Sequence, residues 1–294
     1  MLAKEHHSTV KLFQGERYLV ITGFIGFIFA AICALFIYTN NHIVLPEGNI
    51  KDAFAFNAAI SVFILSIAAV LPLAKFSHRW RKIVRWVFIV SSLYGYLIET
   101  IQHFRGINPR YSQVGGLIDL IAGMVFALIS LGLVIFILLL TIQFLRIQST
   151  PTRPLLIIGI RYAFLSAIAG NFAGLWMITL QGRFTGEAGN LIVLHGVSFH
   201  ALQTLLLLAW LLEKIKANLS FKTRVLHASC ISWSLAILCL AIQISIGRSH
   251  FEWGLFPILT ATFLVIWLIL LIRTFRLFLH QYELHMPKLQ LRSR

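Results

Sequence analysis

Residues 115–145 read GGLIDLIAGMVFALISLGLVIFILLLTIQFL, with Asp119 as their only charge. An α-helix rises about 1.5 Å per residue, so roughly 20 apolar residues cross a hydrocarbon layer of about 30 Å. This stretch exceeds that need, so a span built from it tilts, kinks or extends into the cytoplasm. Helices satisfy the backbone in lipid most economically, so the stretch reads as a transmembrane helix. Working outward, residues 18–38, 53–74 and 83–103 before it qualify in the same way, as do 155–180, 191–212, 224–246 and 254–275 after it. The expected fold is an all-α polytopic membrane bundle of about eight transmembrane helices, a single bundle over 18–275. Residues 1–17 form an N-terminal cytoplasmic segment. The basic tail 276–294 either lies on an anionic inner leaflet or is solvated.

The composition agrees. Hydrophobic residues make up 59% of the 294 positions and charged residues 12%, where soluble domains carry about 25% charged. A water-soluble chain of this size has too much surface to hide so much apolar side chain, which excludes a soluble globular enzyme, a disordered chain and a disulfide scaffold. The three cysteines, Cys33, Cys230 and Cys239, stand singly in apolar stretches, without the CxxC of a dithiol pair or the CxxCH of covalent haem attachment. They read as small hydrophobes. The first apolar stretch is too long for a signal peptide and has no small-residue cleavage site, so it reads as a retained span.

The net charge of +15 indicates a membrane surface rather than a nucleic-acid partner, for no segment resembles a nucleic-acid module. Of the 25 Lys and Arg, nineteen fall in the alternate segments that also hold the termini, and five (Lys51, Arg105, Arg110, Arg183 and Arg248) fall in the opposite loops. Arg161 lies within the fifth span. Basic residues collect on the cytoplasmic side, so both termini are expected inside a bacterial cytoplasmic membrane. Gln102 to Gly106 and Gln243 to Arg248 both place a glutamine before a Gly/Arg pair at the outer end of corresponding spans, a thin sign of a four-plus-four duplication.

Ionisable and polar side chains gather toward one face. Glu99, Gln102 and His103 end the third span, with Gly106 completing an i, i+3, i+4, i+7 face. Asp119 begins the fourth span, Asn171 lies in the fifth, and His195, His200 and Gln203 lie in the sixth. His195 and His200 are about 140° apart around the helix, so they form a polar wedge rather than a stripe. Apart from Arg161 and Gln143, the inner halves of the spans read as plain hydrocarbon. Ionisable groups are costly in lipid and are kept where they face the bundle interior, a partner or water. The expectation is one outward-facing polar cavity. Its substrate-binding or proton-coupling candidates are Glu99, Gln102, Arg105, Asp119 and Gln203, and its metal or haem candidates are His195, His200 and His103. The alternative is that these histidines and acids bond to each other, to arginines and to backbone, and hold helices together. The two arginines of Arg105 to Tyr111 suit an anionic headgroup or carboxylate, or snorkel at the interface. Gly170 and Gly174 read as helix packing. No P-loop, HExxH, GxSxG, kinase or Rossmann signature is present.

At Gln102-His103-Phe104-Arg105-Gly106, Asp119 and His195-Gly196-Val197-Ser198-Phe199-His200-Ala201-Leu202-Gln203, the chain resembles a family of uncharacterised bacterial multi-pass membrane proteins. That family carries Gln-x-x-Arg-Gly after one span, an Asp at the start of the next and a later His-x-x-x-x-His-Ala-Leu-Gln. The resemblance covers about residues 90–210. It implies that Gln102, Arg105, Asp119, His195, His200 and Gln203 matter more than His103, and it implies no activity. A looser resemblance is to haem A synthase, also eight-spanning in two four-helix halves. Its histidines in spans two, four and eight and its outer-loop cysteine pair are missing here, so that assignment is not adopted. The leading expectation is a transporter or permease that binds a small substrate or couples protons. The alternatives are a membrane redox protein or enzyme holding haem b or a divalent metal, and a structural or assembly partner. The lipid bilayer is the partner that all three share.

Overall fold

Polar caps set the helix ends more sharply than hydropathy does. The structure, a computed structural model, describes residues 10–148 and 153–283. Eight helices are long and apolar enough to cross a membrane, which is the expected all-α architecture of a multi-pass membrane protein. They are α1 (Arg17–Thr39), α2 (Ile50–Val70, continued by a 3-10 turn at Leu71–Ala74), α3 (His78–Phe104), α4 (Leu117–Arg146), α5 (Pro154–Leu180), α6 (Leu191–Lys214), α7 (Leu219–Ser245) and α8 (Leu255–Glu283). α3 and α7 start before their apolar runs because Ser77 and Asn218 cap them, accepting from Trp80 N at 3.4 Å and Phe221 N at 2.7 Å. α8 continues past the expected end of the span, so the first part of the expected tail is helix. Residues 284–294, like 1–9, lie outside the described residues. α4 is helical without a break over 30 residues, about 45 Å at 1.5 Å per residue, because nothing inside it interrupts the ladder.

The chain divides into two compact units, Met1–Ile147 and Gln148–Arg294. Each unit has four of the helices. In unit one, α1 packs along α2, α3 packs on both, and α4 joins through α3. Gly26 permits the close approach of α1: a Cβ there would lie 2.2 Å from Ser61 Oγ and 2.3 Å from the Tyr96 ring. In unit two, α5 and α6 form the most extensive helix pair, with α7 and α8 against them.

Each unit also has a two-residue antiparallel ribbon between its first two helices, which hydropathy does not foresee. β1 (Ile43–Val44) pairs with β2 (Gly48–Asn49), and β3 (Phe184–Thr185) pairs with β4 (Gly189–Asn190). The second ribbon follows the first at an offset of 141 residues, since Ile43 corresponds to Phe184 and Asn49 to Asn190. Both asparagines then cap the next helix, Asn49 on Lys51 N at 3.1 Å and Asn190 on Ile192 N at 3.0 Å. The offset recurs where the ribbon meets the end of the third helix of each unit. Glu47 N–H donates to Gly106 O at 2.8 Å, and Ala188 N–H donates to Gly247 O at 3.0 Å. Gly106 and Gly247 have φ of 77° and 79°, a left-handed conformation that suits glycine. The four-plus-four arrangement is therefore repeated in local geometry, and the Gln/Gly/Arg likeness marks the repeated turn.

Candidate functional site

The buried face of α3 ends in Glu99 and His103, one helical turn apart. Glu99 is fully buried, and the His103 side chain is 2% exposed. His103 Nδ1 accepts the Asn49 N–H at 3.1 Å, so the ring proton sits on Nε2. Nε2 lies 3.4 Å from Glu99 Oε2. The other carboxylate oxygen is ion-paired with Arg110, which reaches in from the α3–α4 loop. That guanidinium also lies over Phe56 and Phe126, 5.5 and 5.9 Å from the ring centroids. A carboxylate taken wholly out of water needs such compensation. Arg110 keeps a third of its side chain (33%) exposed, so the cluster has a dry end at Glu99 and a wet end at the guanidinium. Burial beside these groups pushes the Tyr111 phenol above its ordinary range.

Gln102, Arg105 and Asp119 converge into a separate clamp. Gln102 Nε2 donates to Asp119 Oδ1 at 2.9 Å, and Arg105 Nη1 donates to the same oxygen at 2.6 Å and to Gln102 Oε1 at 2.9 Å. Asp119 Oδ2 accepts Gly116 N–H at 3.0 Å. These bonds tie the end of α3 to the first turn of α4, where a carboxylate also suits the helix dipole. Glu47 then binds the intervening loop, accepting from Ser112 Oγ at 2.6 Å, Gln113 N at 2.7 Å and Asn108 N at 3.3 Å. The Ser112 hydroxyl, then the Gln113 amide, hold the Glu47 carboxyl below the usual carboxylate range.

In unit two the predicted histidines do not share a site. His195 Nδ1 donates to the Gly170 carbonyl on α5 at 2.8 Å, and its ring lies 4.9 Å from that of Phe199. A Cβ at Gly170 would meet Phe199 at 2.8 Å, and one at Gly174 would meet His195 Nδ1 at 3.2 Å, so both glycines serve the α5–α6 contact. His200 faces elsewhere. Its Nδ1 meets Gln203 Oε1 at 3.1 Å, and it lines an apolar groove of about 390 Å³ with Thr204, Trp233 and Trp267. Asn171 is buried in α5. Among the described residues no group of three or more His, Cys, Asp or Glu is placed to hold a metal ion. The unit-two positions corresponding to Glu99 and His103 at the 141-residue offset are Leu240 and Ile244, so the acid–histidine pair belongs to unit one alone.

Several structural acids and amides carry no pattern in the sequence. Glu47, Asn57, Glu16 and Glu213 are examples. Glu16, fully buried, binds Arg81 Nε and Arg85 Nε at 2.6 Å each. Glu213 binds Arg153 Nη2 at 2.8 Å. The available signal is an acidic residue at the end of an apolar run close in space to basic loops, and sequence spacing does not reveal that proximity. Compared with known proteins, the chain matches no family model, no curated protein and no solved structure.

Proposed function

We propose that the chain is a proton-coupled transporter of a small anionic solute in a bacterial cytoplasmic membrane, working at the Glu99–His103–Arg110 cluster. The observation that carries this reading is the ion pair between a fully buried carboxylate and an arginine that is still one-third (33%) exposed. Protonation of Glu99 removes the charge that holds Arg110. The guanidinium can then take a carboxylate or phosphate, for which its planar fork is suited. Loss of the proton re-forms the internal pair and expels the anion. The Glu99 carboxylate and the solute thus compete for one arginine, so proton and solute bind cooperatively.

The neighbours support this division of labour. His103, fixed through Nδ1 by the Asn49 N–H, turns its Nε2 proton toward Glu99 and positions the carboxyl. The Gln102–Arg105–Asp119 clamp and Glu47 hold the loop that carries Arg110. The distribution of basic residues favours the outer face for this end of the unit, where protons and solutes arrive.

The test uses proteoliposomes of the protein with trapped pyranine and the membrane potential held at zero with potassium and valinomycin, since one proton moving with one anion carries no net positive charge inward. Inorganic phosphate, citrate and aspartate are added in turn. The expected result is lumenal acidification on addition of at least one probe, abolished by Glu99→Gln and by Arg110→Gln. Wild-type traces that match protein-free vesicles for every probe would refute the reading.

A further inference from the structure

Inward from Glu99 the buried side chains of unit one remain polar. His103, Glu99, Tyr96 and Ser92 follow at spacings of four, three and four along α3, which stacks them on one face. All four are more than nine-tenths buried, with Ser92 2% exposed. Asn57 and Ser61, fully buried, line the file from α2. Asn57 Nδ2 donates to Thr100 Oγ1 at 2.9 Å and lies 3.9 Å from Cys33 Sγ on α1. Ser61 Oγ and the Tyr96 hydroxyl meet at Gly26, where an added Cβ would lie 2.2 and 2.5 Å from them.

Both oxygens of Glu99, His103 Nε2, Asn57 Oδ1, the Tyr96 hydroxyl and Ser92 Oγ are buried without a formed hydrogen bond, Glu99 and His103 Nε2 being held by the ion pairs with each other and with Arg110. Among the described residues of unit one, every such atom lies in this file. Native proteins satisfy buried polar atoms with protein groups or ordered water, and a continuous row of buried polar atoms with hydrogen-bonding capacity to spare is suited to hold water. The row runs from His103 to Ser92, about 16 Å along α3, or roughly half of a 30 Å hydrocarbon layer. Beyond Ser92 the face turns apolar. Phe88, fully buried, meets Phe63 of α2 with centroids 5.9 Å apart, and Ile64 and Ile67 are fully buried on α2. Arg85, paired with Glu16, comes next, about 10 Å from Ser92 along the axis.

We infer that the file from His103 to Ser92 is a water-holding proton path leading inward from Glu99, and that Phe63 and Phe88 close it. The inference rests on the proton-coupled reading of Glu99. A proton adds to the Glu99 carboxylate as an O–H bond forms, and leaves by breaking that bond. Tyr96 and Ser92 each accept a proton on one side of the hydroxyl and release one on the other, while Ser61, whose hydroxyl donates to the Asn57 carbonyl at 2.6 Å, only accepts a hydrogen bond from the path. Asn57 Oδ1 accepts hydrogen bonds and orders the chain without changing protonation. No electron moves, and every proton that enters leaves. The ionisable groups facing the path are His103 on α3, Arg110 and Tyr111 on the loop after it, and Cys33 on α1. From α2 it meets the amide of Asn57 and the hydroxyl of Ser61.

Pyranine proteoliposomes under an inside-negative potassium diffusion potential, with no solute added, test the path. Phe88→Ala should raise the proton leak roughly tenfold, about 1.4 kcal/mol of barrier. Adding Glu99→Gln or Asn57→Leu to that variant should return the leak to the wild-type level. Phe63→Ala opens the same closure from the other helix and serves if Phe88→Ala does not fold. No increase in either variant, or an increase that ignores Glu99 and Asn57, overturns the inference.

Labelling reads hydration independently of flux. Cys33 and Cys230 are both fully buried, so burial alone predicts equal inertness. With the other two cysteines replaced by alanine in each case, Cys33 should react with a small cationic methanethiosulfonate roughly tenfold faster than Cys230, and equal rates overturn the inference. A wild type that moves no anion, beside a Glu99-dependent leak in Phe88→Ala, removes the transport reading and keeps the path. Anion-driven acidification without that leak does the reverse.

Discussion

Replacing Arg110 with methionine keeps much of its apolar stem over Phe56 and Phe126 and removes the charge beside Glu99. Removing one partner of a buried ion pair costs about 3–5 kcal/mol, because the other charge stays buried without compensation. Glu99 is fully buried, but Arg110 is 33% exposed, so solvent already screens part of the pair. The expected loss is therefore about 2–3 kcal/mol. At roughly 2 °C per kcal/mol for a chain of this length, Tm falls by about 4–6 °C. Glu99→Gln removes the buried charge itself and leaves Arg110 able to turn to solvent, at about 1 kcal/mol. The double variant should resemble Glu99→Gln alone, with a coupling of about 2–3 kcal/mol. Thermal unfolding of the four proteins in one detergent, followed by tryptophan fluorescence, measures the cycle. Additivity within about 0.5 kcal/mol would refute the account of Arg110 as the compensator of Glu99.

Asp119→Ala should cost about 1–2 kcal/mol and exceed Arg105→Ala under the same assay, since Asp119 caps α4 and accepts from two side chains while Arg105 is half exposed (51%). Gly106→Ala should cost about 2 kcal/mol or more, because its φ is 77° and a Cβ would lie 2.1 Å from Leu45 O. Gly196→Ala, with nothing within 4 Å of the added carbon, should instead stabilise by about 0.5–1 kcal/mol in the same Tm series. Glu47 makes the α3–α4 loop sensitive to acid. Its carboxyl is held low in the folded protein, so its contribution is fully present above the usual carboxylate range and is lost as pH falls below that range through the lowered folded value. Protection factors for hydrogen exchange at residues 106–116, which correct for the slower intrinsic exchange in acid, should fall on acidification in the wild type and lose that dependence in Glu47→Gln.

Part of the site can be read from the chain and part cannot. Glu99 and His103 stand a helical turn apart in an apolar span, which is enough to mark them. Gln102, Arg105 and Asp119 are separable from them only in space, where they form a clamp instead of a shared cavity. The sequence does not single out Asn57, Ser61, Ser92 and Tyr96. Each is unremarkable alone in a span, and only helix packing sets them in one file. His195 and His200 lie close in sequence, but one turns to a carbonyl of α5 and the other to a groove.

Hydropathy by itself determined the eight helices and their membrane-spanning character, because lipid requires each span to satisfy its own backbone and a local window of side chains records that. It determined their ends less well, since Ser77 and Asn218 cap beyond the apolar limits. The division into two units, the paired ribbons at a 141-residue offset, and the partners of Glu99, Glu47 and Glu16 were decided by tertiary structure. The partners of Glu47 and Glu16 stand some 60 or more positions away, at Ser112 and Arg85. Charge and hydrogen bonding act over a few ångströms in space, and helix packing alone fixes which distant residues come that close.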